Sequence, residues 1–483
     1  MHLVLDQVRR EASDLLDQPR RAELGQYMTP SSIAEFMAGL FSYKSPAKLL
    51  DAGAGVGSLT AAFFEQALHE QISVSSDAWE IDSILVRYLQ TTLDEYVQVG
   101  RGKITAEIHA ADFIEDAIFT IQSGATPYSH AILNPPYKKI NSHSSHRKLL
   151  RMVGIETVNL YTAFVALAVM LLQESGELVA IIPRSFCNGP YYKPFRHFIL
   201  SRCAIRHIHL FDVRNQAFQD DAVLQENIIL HLVKGELQNT VTVSTSRDGK
   251  FTNYQQAIFV AEDIVKSSDN ERFIHIPTTL NDTNLPSFCS HTLNQIGLTV
   301  STGPVVDFRL KEYWCDAKTP CSAPLIYPHH YADGKLTWPK LHKKPNALQH
   351  ANLVSKNLMP NGHYVLVKRF SSKEERRRLV AYHFSSSDIS AAQIGFENHW
   401  NVFHINKQGL AESLAIGLTT FLNSTVLDNH FRVFSGHTQV NATDLRNMRY
   451  PSLEQLQSLG LRAKNRPNDQ ATIDQLLEEL VTR

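Results

Sequence analysis

The chain has 483 residues, a formal net charge of −1, 43% hydrophobic and 20% charged residues. That length exceeds one ordinary core and points to two or three domains, and the composition is that of a globular chain, not a disordered or fibrous one. No run of about 18 apolar residues occurs, and the acid-bearing start lacks a signal-peptide core, so a cytoplasmic protein without a membrane span is expected.

Five cysteines (Cys187, Cys203, Cys289, Cys315, Cys321) form an odd set with no CxxC pair, read as reduced thiols and not as a disulfide framework. The 22 histidines are scattered, and no metal site is expected. Charge is divided along the chain. Residues 1–300 hold 25 Lys+Arg against 32 Asp+Glu, net −7, and residues 301–483 hold 22 against 16, net +6. A basic C-terminal part suits phosphate contacts, although a solvated charged face would read the same way.

In chain order, an amphipathic stretch over 3–18 predicts an opening helix. Apolar runs predict strands at Lys48–Ala52, Asp77–Ile81, Ile104–His109, His130–Asn134, Leu178–Pro183, Ile208–Phe211 and Ile228–Val233. Helical patterns fall between them at Pro30–Leu40, Ser58–Gln66, Ser83–Val97 and Tyr161–Gln173. Such alternation implies an α/β fold with a twisted, mostly parallel sheet covered on both faces, whose sites lie beyond the carboxyl ends of the strands. The rhythm breaks after about Gly235. The division expected is a first domain over 1–240, including the N-terminal helix, and a second over 241–483.

The chemistry-bearing residues sit at those strand ends. Ala131-Ile132-Leu133 runs into Asn134-Pro135-Pro136-Tyr137. Two prolines stiffen the turn and restrict the residues before them. The Asn134 carbonyl and the Pro135 backbone carbonyl would then stand close together beside an aromatic ring, two acceptors matched to an NH₂ group on a planar base. Asp51-Ala52-Gly53-Ala54-Gly55-Val56-Gly57 is a glycine loop between a strand and a helix, where backbone can approach a ligand closely. It is not GxGxxG with an acid about 20 residues on, so a dinucleotide is disfavoured. Asp51 could receive a ligand ammonium group. Glu80, at the second strand's end, could accept two ribose hydroxyls. Asp112, at the third, could accept from an adenine amine with Phe113 packed nearby. Each acid alone would pass for a cap or a surface carboxylate; together they describe a nucleoside site.

With these motifs the sequence resembles the N6-adenine DNA methyltransferases of bacterial type II restriction–modification systems, in the gamma order with cofactor motifs first, NPPY next and the recognition domain last. The resemblance covers roughly residues 21–235. It implies a Rossmann-like methyltransferase domain followed by an α+β target-recognition domain, S-adenosyl-L-methionine as cofactor and double-stranded DNA as substrate. A cognate restriction endonuclease would be the functional partner, and a monomer is expected because one chain holds all the parts. Gly25-Gln26-Tyr27-Met28-Thr29-Pro30 matches the N-terminal cofactor motif, which implies cofactor contacts for Tyr27, Thr29 and Pro30. Phe164 in Asn159-Leu160-Tyr161-Thr162-Ala163-Phe164 would pack on the cofactor's adenine, and Phe218 in Gln216-Ala217-Phe218 on a flipped base. Further on, Gly303–Arg309, Glu397–Phe403 and Ser435–Arg446 resemble pieces of recognition domains. Gln439, Asn441 and Arg446 are side-chain types that can read base edges, or ordinary polar loop residues. The rival readings are a methyltransferase acting on protein glutamine or on RNA, and a DNA-binding specificity or defence subunit that needs a partner.

Overall fold

The computed structural model describes residues 2–16, 28–211, 226–278, 285–317, 319–332, 334–371, 375–434 and 439–481. Two compact units divide the chain, Met1–Leu280 and Asn281–Arg483.

The first unit opens with α1 (His2–Leu15) and α2 (Ser31–Ala38). Strand and helix then alternate as β1 (Ala47–Ala52), α3 (Ser58–His69), β2 (Val74–Trp79), α4 (Ser83–Val99), β3 (Ile104–His109), α5 (Phe113–Gln122) and β4 (Tyr128–Leu133). There follow α6 (Ser145–Met152), α7 (Leu160–Leu171), β5 (Leu172–Pro183), α8 (Lys193–Leu200), β6 (Cys203–Phe211), β7 (Asn227–Lys234), β8 (Thr240–Ser246) and β9 (Gln255–Val260). All nine strands form one sheet in the order β3-β2-β1-β4-β5-β7-β6-β8-β9. It is parallel from β3 to β5, and β7 runs antiparallel to both neighbours. The expected α/β, Rossmann-like fold is therefore present. Its central strands are buried on both faces because helices cover both. One core gathers Phe113, Leu150, Phe164, Leu167, Phe195 and Ile199 from α5 to α8, and the other gathers Ile33, Met37, Phe63, Phe64, Leu89 and Leu93 from α2 to α4. Helix α7 (LYTAFVALAVML) is apolar all round and almost wholly buried, as such a helix must be.

The break expected at residue 240 falls inside this sheet. Strand β8 pairs in parallel with β6, and β9 pairs antiparallel with β8. The TVTVSTS sequence of β8 alternates β-branched with small polar residues and has no helix after it, so it does not read as part of the βα rhythm.

The second unit is α+β. It holds β10 (Thr299–Thr302), β11 (Trp314–Cys315), β12 (Ser322–Ile326), β13 (Tyr331–Ala332), β14 (Lys335–Leu336), β15 (Ala347–Gln349), β16 (Met359–Pro360), β17 (Tyr364–Lys368), β18 (Ala381–Phe384), β19 (Gln393–Phe396) and β20 (Trp400–His404). These make sheets ordered β10-β20-β17-β18 and β11-β15-β12-β19-β16, with a small β13-β14 ribbon. Helices α9 (Glu412–Leu422), α10 (Thr425–Phe434), α11 (Ala442–Asn447), α12 (Leu453–Ala463) and α13 (Gln470–Val481) follow. Helices α9 and α12 touch backbone to backbone: a Cβ on Gly417 would strike the Leu456 carbonyl, and one on Gly460 the Ser413 carbonyl. Among the described residues no helix is long and apolar enough to cross a membrane.

Candidate active site

Strand ends β1 to β4 converge on one pocket of about 410 Å³ in the first unit. The glycine loop forms its floor. The N–H groups of Gly53 and Ala54 both donate to the Trp79 carbonyl at 2.9 Å, which ties the loop to the end of β2. Gly53 has φ 79°, and a Cβ there would project toward Phe164 Cε1 at 3.8 Å and Pro136 Cδ at 4.0 Å. The bare backbone thus leaves a cradle that any side chain would fill.

Glu80 is buried, with Oε2 accepting from the Gly55 N–H at 3.0 Å and Oε1 from the Asp82 N–H at 2.8 Å. Burial pushes its carboxyl up, partly offset by those N–H groups. Each oxygen keeps a second lone pair for a hydroxyl. Asp112 caps α5 through Oδ1 and the Ile114 N–H at 2.8 Å, while Oδ2 lies 2.8 Å from His146 Nε2. Burial alone would raise the Asp112 carboxyl. The His146 hydrogen bond and charge outweigh that and hold it below the usual range, and His146 is correspondingly raised by the same bond. Phe113 and Phe164 line the pocket with ring centroids 5.1 Å apart.

The fourth strand delivers Asn134 as the first residue beyond Leu133. Its Nδ2 donates to Thr29 Oγ1 at 3.0 Å. The Tyr137 hydroxyl lies 3.1 Å from Asn134 Oδ1 and 3.0 Å from the Ile181 carbonyl, sharing its one proton between them. An N-terminal threonine and the proline-stiffened turn, 105 positions apart, are thus joined at the wall of one pocket.

Of the residues singled out from sequence, Thr29, Gly53, Gly55, Glu80, Asp112 and Phe113 line this pocket, as do Asn134, Pro136 and Phe164. Pro135 and Tyr137 adjoin it without forming its lining, and the Tyr137 ring packs edge-on to Tyr161 at 6.1 Å. Pro30 serves as the N-cap residue of α2. Asp51 departs from expectation. It is fully buried beneath the loop, with Oδ2 accepting from Thr60 at 2.7 Å and Oδ1 without a partner among the described residues, and burial pushes its carboxyl up to about 7. A fully buried carboxyl cannot meet a ligand ammonium directly; it supports the loop from below. Tyr27 and Phe218 lie outside the described residues.

The sequence reading missed the segment after Tyr137. Lys138, Ile140, Asn141, Ser144 and His146 line the pocket too. Ser144 caps α6 by accepting from the Arg147 N–H at 3.3 Å. A serine before a short amphipathic helix was the available signal, but eight residues give little periodicity to read.

In the second unit the three recognition-like segments meet. Gly303 N–H donates to the Trp400 carbonyl at 2.8 Å, Val305 bridges Glu397, and Asn401 Nδ2 donates to the Val440 carbonyl at 2.7 Å. Gln439 forms a strand bridge with Phe370. Asn441 stands at the N-terminus of α11, where its backbone N–H donates to Asp444 Oδ2 at 2.9 Å. Arg446 is exposed, and its Nε reaches the Val300 carbonyl at 3.4 Å.

The Eco57I restriction-modification methylase family matches residues 76–218. The type II methyltransferase M.BsuBI of Bacillus subtilis is 48% identical over 479 residues, covering 95% of this chain and 94% of its own. M.PstI of Providencia stuartii, also a type II methyltransferase, is 44% identical over 496 residues, covering 99% and 97%. Among solved structures, a DrdV–DNA complex aligns with a TM-score of 0.49 at 12% identity, over 92% of this chain and 57% of that one.

Proposed function

The chain belongs to the type II methyltransferases of restriction–modification systems, and on that premise we propose that it transfers a methyl group from S-adenosyl-L-methionine to the exocyclic N6 amine of adenine in double-stranded DNA. One observation carries this reading: the Asn134 turn and the glycine loop share a pocket with a buried carboxylate and two aromatic rings. The pocket's size lies in the range of small-molecule sites. Its donor set fits the cofactor: Glu80 for ribose hydroxyls, Phe113 and Phe164 for a purine face, and the Gly53 cradle for close backbone approach.

When bound, that cofactor supplies an electrophilic methyl on a positively charged sulfur. The protein's own work is then positioning and electrostatics. The target adenine leaves the stack, since its amine is out of reach inside a duplex. Asn134 Oδ1 and the Pro135 carbonyl accept the two amine hydrogens, which draws density onto the nitrogen and aims its lone pair at the methyl; one of these hydrogens, made acidic once the nitrogen carries the methyl, leaves as a proton to water. Thr29 holds the amide nitrogen, so the oxygen faces the incoming amine. The ring of Tyr137, with Phe218, is assigned to stacking on the base. Asp112 receives the cofactor's adenine amine on its remaining lone pairs. The second unit supplies the sequence contacts, with Gln439, Asn441 and Arg446 as candidates. A cognate endonuclease is the functional partner, and the chain works as a cytoplasmic monomer.

Incubating the purified chain with plasmid DNA and S-adenosyl-L-methionine, then sequencing at single-base resolution, tests this. N6-methyladenine at one recurring sequence is the expected result. Methyl groups on cytosine only, or on added protein or RNA in place of DNA, would overturn it.

A further inference from the structure

Residues 334–350 of the second unit carry four lysines and no carboxylate. Residues 337–346, between β14 and β15, form a loop fastened at many points. Asn346 brackets Lys340, accepting from its N–H at 2.9 Å and donating to its carbonyl at 3.0 Å. The Lys340 ammonium donates to the His329 carbonyl at 3.0 Å, and the His329 and His342 rings stack with centroids 4.0 Å apart. The Trp338 indole N–H donates to the Asn346 carbonyl at 2.9 Å, and Lys344 pairs with the buried Asp307 at 2.5 Å. At the tip of this braced loop Leu341 is wholly exposed, at 101% of its reference area, with Lys340, His342 and Lys343 exposed around it.

A leucine held out in water by a hydrogen-bonded loop does nothing for the stability of its own unit. Burying it against another apolar surface is favourable by roughly tenfold or more in affinity. A slack loop would fold it back; this one is pinned on both sides of it. The lysines make the surroundings positive, so the matching surface is a polyanion with an apolar interior that can be opened. Stacked base pairs between phosphate backbones are such a surface, and apolar side chains wedge between base steps from the minor groove.

We propose that this loop is a duplex-DNA contact in which Leu341 enters between adjacent base pairs while Lys340 and Lys343 hold the flanking phosphates. The inference rests on duplex DNA being the substrate. The Lys340 ammonium has three donors, so its bond to His329 leaves two for a phosphate. Lys344, engaged by Asp307, serves to position the loop.

The test uses the full chain and a short duplex containing the sequence that the wild-type chain methylates, with 2-aminopurine placed in turn at each base step. Leu341→Ser should weaken duplex binding by about tenfold, the scale of one lost buried leucine. It should also abolish the 2-aminopurine signal at one step, while S-adenosyl-L-methionine affinity stays unchanged. Leu341→Met should restore both. Lys343→Gln should lower the slope of log affinity against log salt by about 1, as for one lost phosphate contact. Wild-type affinity and unstacking in Leu341→Ser, with normal methylation by the parent, overturn the wedge alone. A parent chain that binds no duplex overturns the proposed substrate and the wedge with it.

Discussion

Asn134 has both ends of its amide engaged, Nδ2 by Thr29 and Oδ1 by the Tyr137 hydroxyl. With its nitrogen on Thr29 the amide turns its oxygen toward the Tyr137 hydroxyl, and an oxygen with two lone pairs accepts a second proton beside that of tyrosine. The group is therefore set before substrate arrives, which is what electrostatic catalysis needs. Asn134→Ala should lower kcat by on the order of 10²–10³, the usual loss for one preorganised group in a transition state, with cofactor affinity unchanged. Single-turnover rates and calorimetry check the pair of values, and near-full turnover removes Asn134 from the mechanism. The Asp112–His146 pair makes a separate prediction. Asp112 is held below its ordinary value, so its contribution to stability is present above about pH 4 and lost as the pH falls through the lowered value. His146 is raised, so its contribution is full below about pH 6.5 and lost as the pH rises through the raised value. The pair thus works in the window between. Melting temperatures of the parent and His146→Gln should differ most near pH 5–6 and converge at alkaline pH. The effect is small because both side chains are partly exposed. A constant gap at all pH values would show that the bond contributes no charge.

Helices α9 and α12 pack through Gly417 and Gly460, where a methyl group on either glycine would meet a main-chain carbonyl of the other helix. Alanine favours a helix over glycine by about 1 kcal/mol, but forcing two backbones apart costs about 1–3 kcal/mol or more. The second term wins because a carbonyl, unlike a side-chain tip, cannot swing away. Gly460→Ala should lower the unfolding free energy of the chain in urea; a rise would mean that the helices part without penalty. This contact was invisible in the sequence, where both glycines look like interruptions of helical patterns. The central strands were legible because short apolar runs such as Lys48–Ala52 and His130–Asn134 end in the Gly53 loop or in Asn134. The centre of the sheet accordingly agrees with expectation to within a few residues, except that β5 and β6 begin earlier than expected. Short or edge elements were not legible: α6 spans barely two turns, β8 alternates β-branched and small polar residues, and β9 is a six-residue strand at the sheet margin. The site followed the strands. Glu80, Asp112 and Asn134 were readable as strand-end residues, whereas Ser144 and His146 reach the pocket from a loop and a helix that carry no such marker.

The whole chain is almost neutral, yet its charge is unevenly placed, net −7 over residues 1–300 and +6 over 301–483. Phosphate binding responds to local potential and not to the sum, because the Debye length at physiological salt is about 8 Å. The lysines of residues 335–344 therefore act through their own local potential, whatever the sign of the chain's sum. Each phosphate neutralised releases condensed counterions, so log affinity should fall linearly with log salt by about 0.9 per contact. Five such contacts would give a slope of about −4.5 and a loss of roughly 500-fold between 50 and 200 mM salt. Measuring the dissociation constant of a methylatable duplex across that range yields the contact number directly. A flat line would mean that binding is carried by neutral contacts, and the basic excess of residues 301–483 would then be a solvated face with no part in holding DNA.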